Sequence, residues 1–349
     1  MAVKVRPLDQ ASAPAWDRFV AALPTGTFFH RAAWAGVLES AFGHTAHFAM
    51  AEQDGAVTGV LPLAHVKTRL FGNSLMSTPF CVYGGPLAAD RDSAIALEAH
   101  AAAVMARTGA ASAEFRFLHP LPEGWLPEND WQTRDGLYVT FRRAITGDDD
   151  ANLKAIPRKQ RAVVRKGIEQ GLTSTVSQDV DGLHAVYAES VRNLGTPVFS
   201  RRYFRLLAET FRGSMDVLTV RNNGTPVSAV MNFYDRDEVL PYYGGGTAAA
   251  RMCHANDFMY WEVMRHAAAR GCRLFDFGRS KADTGAFAFK KNWGFAPAPL
   301  HYRYRLAPGT AIPDHNPLNP KYRLFIAAWK RLPVPVANLL GPHIVRGVG

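Results

Sequence analysis

The same series of short phrases occurs twice in this chain, and that repetition limits the fold more than any other feature. Asp54-Gly55-Ala56-Val57 is answered by Asn223-Gly224-Thr225-Pro226, and Tyr83-Gly84-Gly85 by Tyr243-Gly244-Gly245. A helix ending Met105-Ala106-Arg107-Thr108-Gly109, with the strand Glu114-Phe115-Arg116-Phe117, is answered by Ala267-Ala268-Ala269-Arg270-Gly271 and Leu274-Phe275-Asp276-Phe277. Asp-Gly and Asn-Gly between apolar runs signal hairpins. Glycine just past a helix is a stop signal because it tolerates positive φ. Each half reads strand, two helices, hairpin, strand, helix, strand. The expectation is a duplicated α/β (α+β) unit with two mixed sheets flanked by helices. A cleft between two such sheets is a common place for a ligand.

The break between halves falls at Gly147, followed by Asp148 to Asp150, whose charge suits the start of a helix. This gives a first lobe over 1–147, a second over 148–307 and a tail over 308–349. In the tail, Pro308, Pro313, Pro317 and Pro320 predict an extended connector. Tyr322 to Leu332 then reads as a short helix, with Leu324, Phe325, Ala328, Trp329 and Leu332 on one side. Lys321, Arg323, Lys330 and Arg331 rim it. Two readings stand: a helix packed back on the domain, or an interfacial helix in peripheral contact with an anionic membrane.

The chain is 349 residues long, enough for two ordinary domains, and carries a net charge of +10. That excess fits nucleic acid, anionic lipid or phosphorylated substrates without choosing among them. Cys81, Cys253 and Cys272 lack pair spacing, so neither a disulfide framework nor a zinc site is expected. The N-terminus shows no secretory pattern, and no apolar run reaches the ~18 residues of a membrane span. The expected location is the cytoplasm.

The chemistry concentrates in Val239 to Phe295. A strand ends in Tyr242, Tyr243 and three glycines, and alternation would send one tyrosine to the core and the other to the cleft. A helix follows, opened by His254 and Asp257, and then a strand containing Asp276. Its end, Gly278-Arg279-Ser280-Lys281, has the strand-end position where α/β sheets often hold ligands. A loop is expected to deliver Lys290 and Lys291 between Phe289 and Trp293. A lysine there suits an anionic substrate or a developing oxyanion; a surface lysine beside an aromatic anchor is the plainer reading. Upstream, Arg158, Arg161 and Arg165 share a helix face at i, i+3, i+7. Such a row suits phosphates, or is a solvated face paired with Glu169 and other carboxylates. No Walker lysine motif, Gly-x-Ser-x-Gly elbow, HExxH or CxxC is present. Gly244-Gly245-Gly246 is too short to be a nucleotide fingerprint.

The set Tyr-Tyr-Gly-Gly-Gly, Trp261-Glu262, Gly271, Phe275-Asp276-Phe277-Gly278 and Phe289-Lys290-Lys291-Asn292-Trp293-Gly294 resembles the C-terminal half of FemAB-like transferases of the GNAT superfamily. Arg158-Lys159-Gln160-Arg161 to Arg165-Lys166-Gly167 resembles their basic helix, and the duplication resembles their tandem GNAT folds. The tail resembles the branch associated with exosortase/PEP-CTERM systems. The resemblance implies an N-acyl- or aminoacyltransferase acting on an acceptor amine, in envelope or exopolysaccharide-linked metabolism. It implies no tightly bound cofactor, and a donor that is aminoacyl-tRNA, acyl-CoA or acyl carrier protein. It places the oxyanion lysine on Lys290 and acceptor phosphates on Arg161 and Arg165. Asp276 and Tyr243 are candidates to take the amine proton, with Arg158, Tyr242, Arg279, Ser280 and Lys291 as further substrate contacts. The chain departs from the peptidoglycan members in lacking a long helical-hairpin insertion. It departs from ordinary acetyl-CoA-binding GNAT enzymes in lacking their Arg/Gln-x-x-Gly-x-Gly/Ala loop. Acyl-CoA- or acyl-carrier-dependent transfer and non-catalytic binding of anionic glycan-lipid intermediates are the alternatives.

Overall fold

The computed structural model describes residues 2–69, 71–127, 130–134, 136, 138–312 and 320–347. The chain forms two units, Met1–Tyr138 with Pro299–His315 and Arg346–Gly349, and Val139–Ala298 with Asn316–Val345. Pro313 and Pro317 of the expected connector lie outside the described residues, as does the side chain of Lys321.

The first unit begins β1 (Lys4–Pro7), α1 (Ala13–Ala22), α2 (Trp34–Phe42), β2 (Thr45–Gln53), β3 (Ala56–Thr68), β4 (Gly72–Ser77). It continues β5 (Leu87–Ala88), α3 (Arg91–Thr108), β6 (Ser112–Phe117), β7 (Trp131–Arg134). The second unit begins β8 (Tyr138–Ala144), α4 (Asp149–Ala155), α5 (Arg158–Glu169), β9 (Thr173–Ser177), α6 (Val180–Leu194), α7 (Arg201–Thr210). Then come β10 (Met215–Asn222), β11 (Thr225–Asp235), β12 (Glu238–Gly246), α8 (Ala255–Ala269), β13 (Leu274–Asp276), β14 (Ser280–Lys281), α9 (Gly285–Asn292), β15 (Pro297–Pro299). β16 (His301–Leu306) returns to the first unit, and α10 (Pro320–Trp329) and α11 (Val334–Val345) belong to the second.

Each unit is built on one mixed sheet. The first runs β1-β2-β3-β4-β6-β16-β7, with β5 beside β3; the second runs β14-β8-β13-β12-β11-β10-β9, with β15 beside β8. Each contains a parallel pair among antiparallel ones: β4 with β6, and β12 with β13. A crossover helix, α3 or α8, connects that pair, as parallel strands require. Local chemistry sets the helix ends. Asp90 caps α3 by accepting from the Ser93 N–H, and Gly109 closes it at φ 63°; Asp179 and Gly195 do the same for α6.

The unit boundary lies at Tyr138, nine residues before the composition break at Gly147. The reason is pairing over distance. Arg142, Arg143 and Ala144 of β8 pair with β13, deep in the second sheet. β16 pairs with β6 and β7 of the first. Nothing in the composition of these strands reveals partners that far along the chain. The tail also contains a second helix, α11, which the run of Val334 to Val345 did not suggest, because Pro335 and Pro342 fall within it.

Candidate functional site in the second unit

The site grows from the place where the second sheet parts. β12 and β13 pair only at Glu238 with Leu274 and Val239 with Phe275. Beyond that point β12 stays with β11 as far as Gly246. β13 instead ends at Asp276, and the Phe277 N–H bonds the Phe141 carbonyl of β8. A bulge sharpens the turn-out. Met231 of β11 faces Tyr243 while Asn232 faces Pro241, which leaves Tyr242 as the extra residue. That bulge defeats simple alternation. The Tyr242 and Tyr243 rings touch edge to face at 4.8 Å instead of pointing to opposite sides.

The three glycines of β12 serve close packing. A Cβ on Gly245 would lie 2.3 Å from Ser190 Oγ of α6, and one on Gly246 would lie 2.4 Å from Asn256 Oδ1 of α8. The strand end is thus squeezed between helices on both faces. Two tyrosines mark the gap from those two layers. Tyr187 of α6 lies 5.9 Å from the Tyr243 ring, and Tyr260 of α8 lies 4.9 Å from the Phe277 ring. The Tyr187 hydroxyl is raised first by burial and then by Tyr260, and burial followed by Asp257 pushes Tyr260 up to about 12.

At the lip of this gap, Lys290, Asp276, Gly278, Arg279 and Ser280 come together. Asp276 is fully buried. Its Oδ1 accepts from Thr140 Oγ1 at 3.2 Å and the Gly278 N–H at 2.6 Å, and its Oδ2 lies 3.3 Å from Arg142 Nε. Gly278 takes φ 66°, where a side chain would be strained. From the other side, Lys290 Nζ donates to the carbonyls of Phe277, Gly278 and Arg279 at 2.7, 3.0 and 3.1 Å. Burial holds this amine down to about 7, with Asp276 opposing the shift. Lysine and aspartate therefore clamp one turn from both sides. Glu238, also bonded to Arg142, is pushed up to about 8 by burial and then by Asp276. The Ser280 hydroxyl is buried and makes no hydrogen bond among the described residues.

Lys290 and Lys291 arrive on α9, where a loop was expected. Thr284 caps that helix by accepting from the Phe287 N–H, a signal already legible in Thr284-Gly285. Lys291 lines an open hollow of about 700 Å³ with Pro157, Lys159, Gln160, Asp283 and Phe287. A joint at Asp257 borders it: the carboxylate accepts from Gln160 Nε2 and, at 3.0 Å, from Trp293 Nε1. The three arginines of α5 behave differently from one another. Arg158 and Arg165 are exposed, while Arg161 is half-buried with its Nε unbonded. None of the three forms an ion pair with Glu169 among the described residues. The hollow is lined by Lys159 and Gln160, which the sequence pattern did not single out. Tyr243 lies inside an aromatic cluster with Phe199, Phe204 and Tyr203, its hydroxyl 2.8 Å from that of Tyr203.

Residues 153–291 match the family model of the acetyltransferase (GNAT) domain, and this stretch contains the whole parted sheet edge and its lip. The fold is that of tandem GNAT structures. The crystal structure of FemX superposes with a TM-score of 0.66 at 16% identity, covering 93% of this chain and 100% of that one. The C-terminal domain of a putative lysylphosphatidylglycerol synthetase from Agrobacterium fabrum gives 0.57 at 15%, covering 84% and 91%. A tandem GNAT protein from the clavulanic acid biosynthesis pathway gives 0.54 at 14%, covering 88% and 100%. No curated protein matches the chain. The domain match, on this fold, supports an acyltransferase. Among the described residues there is no group of three metal-binding side chains, and no helix is long and apolar enough to cross a membrane.

Proposed function

We propose that the chain transfers an activated acyl or aminoacyl group to an acceptor amine in envelope or exopolysaccharide-linked metabolism. The parted β12–β13 edge, with its clamped lip, carries this reading. The amine attacks the donor carbonyl, a tetrahedral oxyanion forms, and it collapses to an amide as the ribose hydroxyl or thiol leaves. Positioning and fixed charge supply most of the acceleration. All three N–H bonds of a protonated Lys290 reach backbone carbonyls, so its cation acts from behind the 277–279 turn. It sets the turn and places positive charge beside it. Asp276, sealed from solvent with both oxygens engaged, is a positioning residue for the same turn; Tyr187, Tyr260 or water handles protons in the gap. The hollow lined by Lys159 and Lys291 receives the anionic part of a substrate, and Arg161, next in sequence to its lining residue Gln160, is a further candidate contact. Arg158, Arg165, Arg279 and Ser280 remain candidate contacts for that substrate.

The donor is aminoacyl-tRNA, acyl-CoA or an acyl carrier protein, and the likeness to FemX and to the lysylphosphatidylglycerol synthetase domain favours an envelope acceptor. We place the protein on the cytoplasmic side, with 321–332 in peripheral contact with anionic membrane. The link to exosortase/PEP-CTERM systems belongs to this proposal as well. Mass spectrometry of small molecules co-purifying with the protein is the test. A pantetheine thioester or an aminoacyl ester supports transfer and names the donor. Tight retention of a glycan-lipid, with no product from any of the three donors, would replace transfer by binding.

A further inference from the structure

The two C-terminal helices each use one face for packing and leave a second apolar face outside. α10 buries Trp329 and brings Ile326 against Gly195, where a Cβ would lie 2.5 Å from Ile326 Cγ2. The Lys330 carbonyl accepts from Arg192 Nη1 at 3.1 Å. α11 buries Ala337, Gly341 and Val345 at i, i+4, i+8, and Gly341 allows contact with the Val198 backbone. Val334 packs on the cluster of Ala188, Val191 and Val198. Both helices are thus fixed at the C-terminal end of α6.

Their outward faces carry Leu324 (85% exposed), Phe325 (40%), Val336 (40%), Leu339 (70%) and Leu340 (43%). Leu194, at the end of α6 itself, is 61% exposed. Packing does not account for large side chains gathered in water at one end of one helix. The charge of the tail itself has a single sign. Residues 316–349 contain Lys321, Arg323, Lys330, Arg331 and Arg346 and no aspartate or glutamate. Arg323, Lys330, Arg331 and Arg346 are exposed.

We infer that this end of the second unit is a docking surface for an anionic phospholipid bilayer. Leu324, Phe325, Leu339 and Leu340 enter the headgroup boundary, and Arg323, Lys330 and Arg331 pair with lipid phosphates. Exposed apolar side chains and exposed cations on one stretch of chain that contains no aspartate or glutamate match that partner in both terms. The inference extends the membrane contact of the proposed function to α11 and Leu194. It does not rest on the transfer chemistry, so a failed activity assay leaves it standing.

The test is sedimentation of the full-length protein with phosphatidylcholine vesicles, with and without phosphatidylglycerol. Binding is expected only with phosphatidylglycerol and should weaken as salt rises. Leu324→Asp with Leu339→Asp should weaken it at least ~10-fold. Lys330→Glu with Arg331→Glu should weaken it ~5-fold or more per cation. All these side chains are exposed, so circular dichroism and melting temperature should stay unchanged. Absence of vesicle binding, equal binding to both vesicle types, or full binding by the charge-reversed variant overturns the inference. So does a dimer in light scattering that Leu339→Asp dissolves while vesicles bind nothing, which would assign the face to a second copy of the chain.

Discussion

The two units start from one plan and treat the same gap in opposite ways. In the first, β4 and β6 pair in parallel from Ser74 with Ser112 to Met76 with Glu114, and the chain then fills the space beyond. The Arg116 N–H donates to Ser77 Oγ at 3.0 Å, and the Arg116 carbonyl accepts from Gly84 and Gly85 at 3.1 and 2.8 Å. Arg116 Nη1 donates to the Cys81 carbonyl at 2.8 Å, and Tyr302 donates to Val82 at 3.2 Å. Gly85 lies under the Phe117 ring, where a Cβ would come within 2.7 Å. Residues 78–85 therefore stopper the parting with their own backbone. In the second unit the glycines after Tyr243 continue the strand, and the parting is flanked by the rings of Tyr187 and Tyr260 and by a clamped turn. One duplicated plan gives a packed gap in one copy and the proposed acyl-transfer gap in the other, and the choice lies in the segment just after the central strand.

The largest expected effect concerns the stopper. Arg116→Met leaves Glu114, 2.5 Å away and nearly buried, without its cation. The cost should be ~3–5 kcal/mol in denaturant unfolding, with kcat of the folded fraction unchanged. Loss of kcat would mean that the first unit takes part in chemistry. Next, Lys290→Ala should lower kcat on the order of 10²-fold, comparable to removing one electrostatic group from an acyl-transfer site. The same lysine sets a pH dependence. It is charged below about 7 and neutral above, so the rate should fall as pH rises through that value. Lys290→Arg should carry the fall to higher pH.

Glu238 gives a smaller effect, with the sign fixed by its raised value. A carboxyl raised in the folded state contributes stability that is complete below its ordinary 4.5 and lost as pH rises through about 8. Melting curves of Glu238→Gln should therefore vary less over that window than those of the parent. The smallest effect is Tyr203→Phe, which removes one hydroxyl bond to Tyr243. It should cost ~1 kcal/mol and leave the gap unaltered.

The repeated phrases made the fold legible, because hairpin turns and helix stops are local chemistry. The convergence of Asp276, Gly278, Arg279 and Lys290 was partly legible, since three of the four adjoin one strand end. The gap itself was not. It depends on a bulge at Tyr242 that moves one residue out of register, and alternation cannot foresee that. It also depends on Tyr187 and Tyr260, ordinary members of helical patterns until the sheet parts between them. The basic row Arg158, Arg161 and Arg165 drew attention by its charge. Lys159 and Gln160, between the first two, are the residues of α5 that line the hollow. The strand exchange that puts β8 in one sheet and β16 in the other had no local signal at all.

We propose that the parted edge of the second unit, with Lys290 behind its lip, performs acyl transfer. The direct measurement is amide formation by mass spectrometry from aminoacyl-tRNA, acyl-CoA and acyl carrier protein, each offered with amine acceptors to wild type and Lys290→Ala. Amide should form from one donor class, with a loss on the order of 10²-fold in the variant. Undiminished turnover by Lys290→Ala, or no amide from any donor, would rule out acyl transfer at this edge.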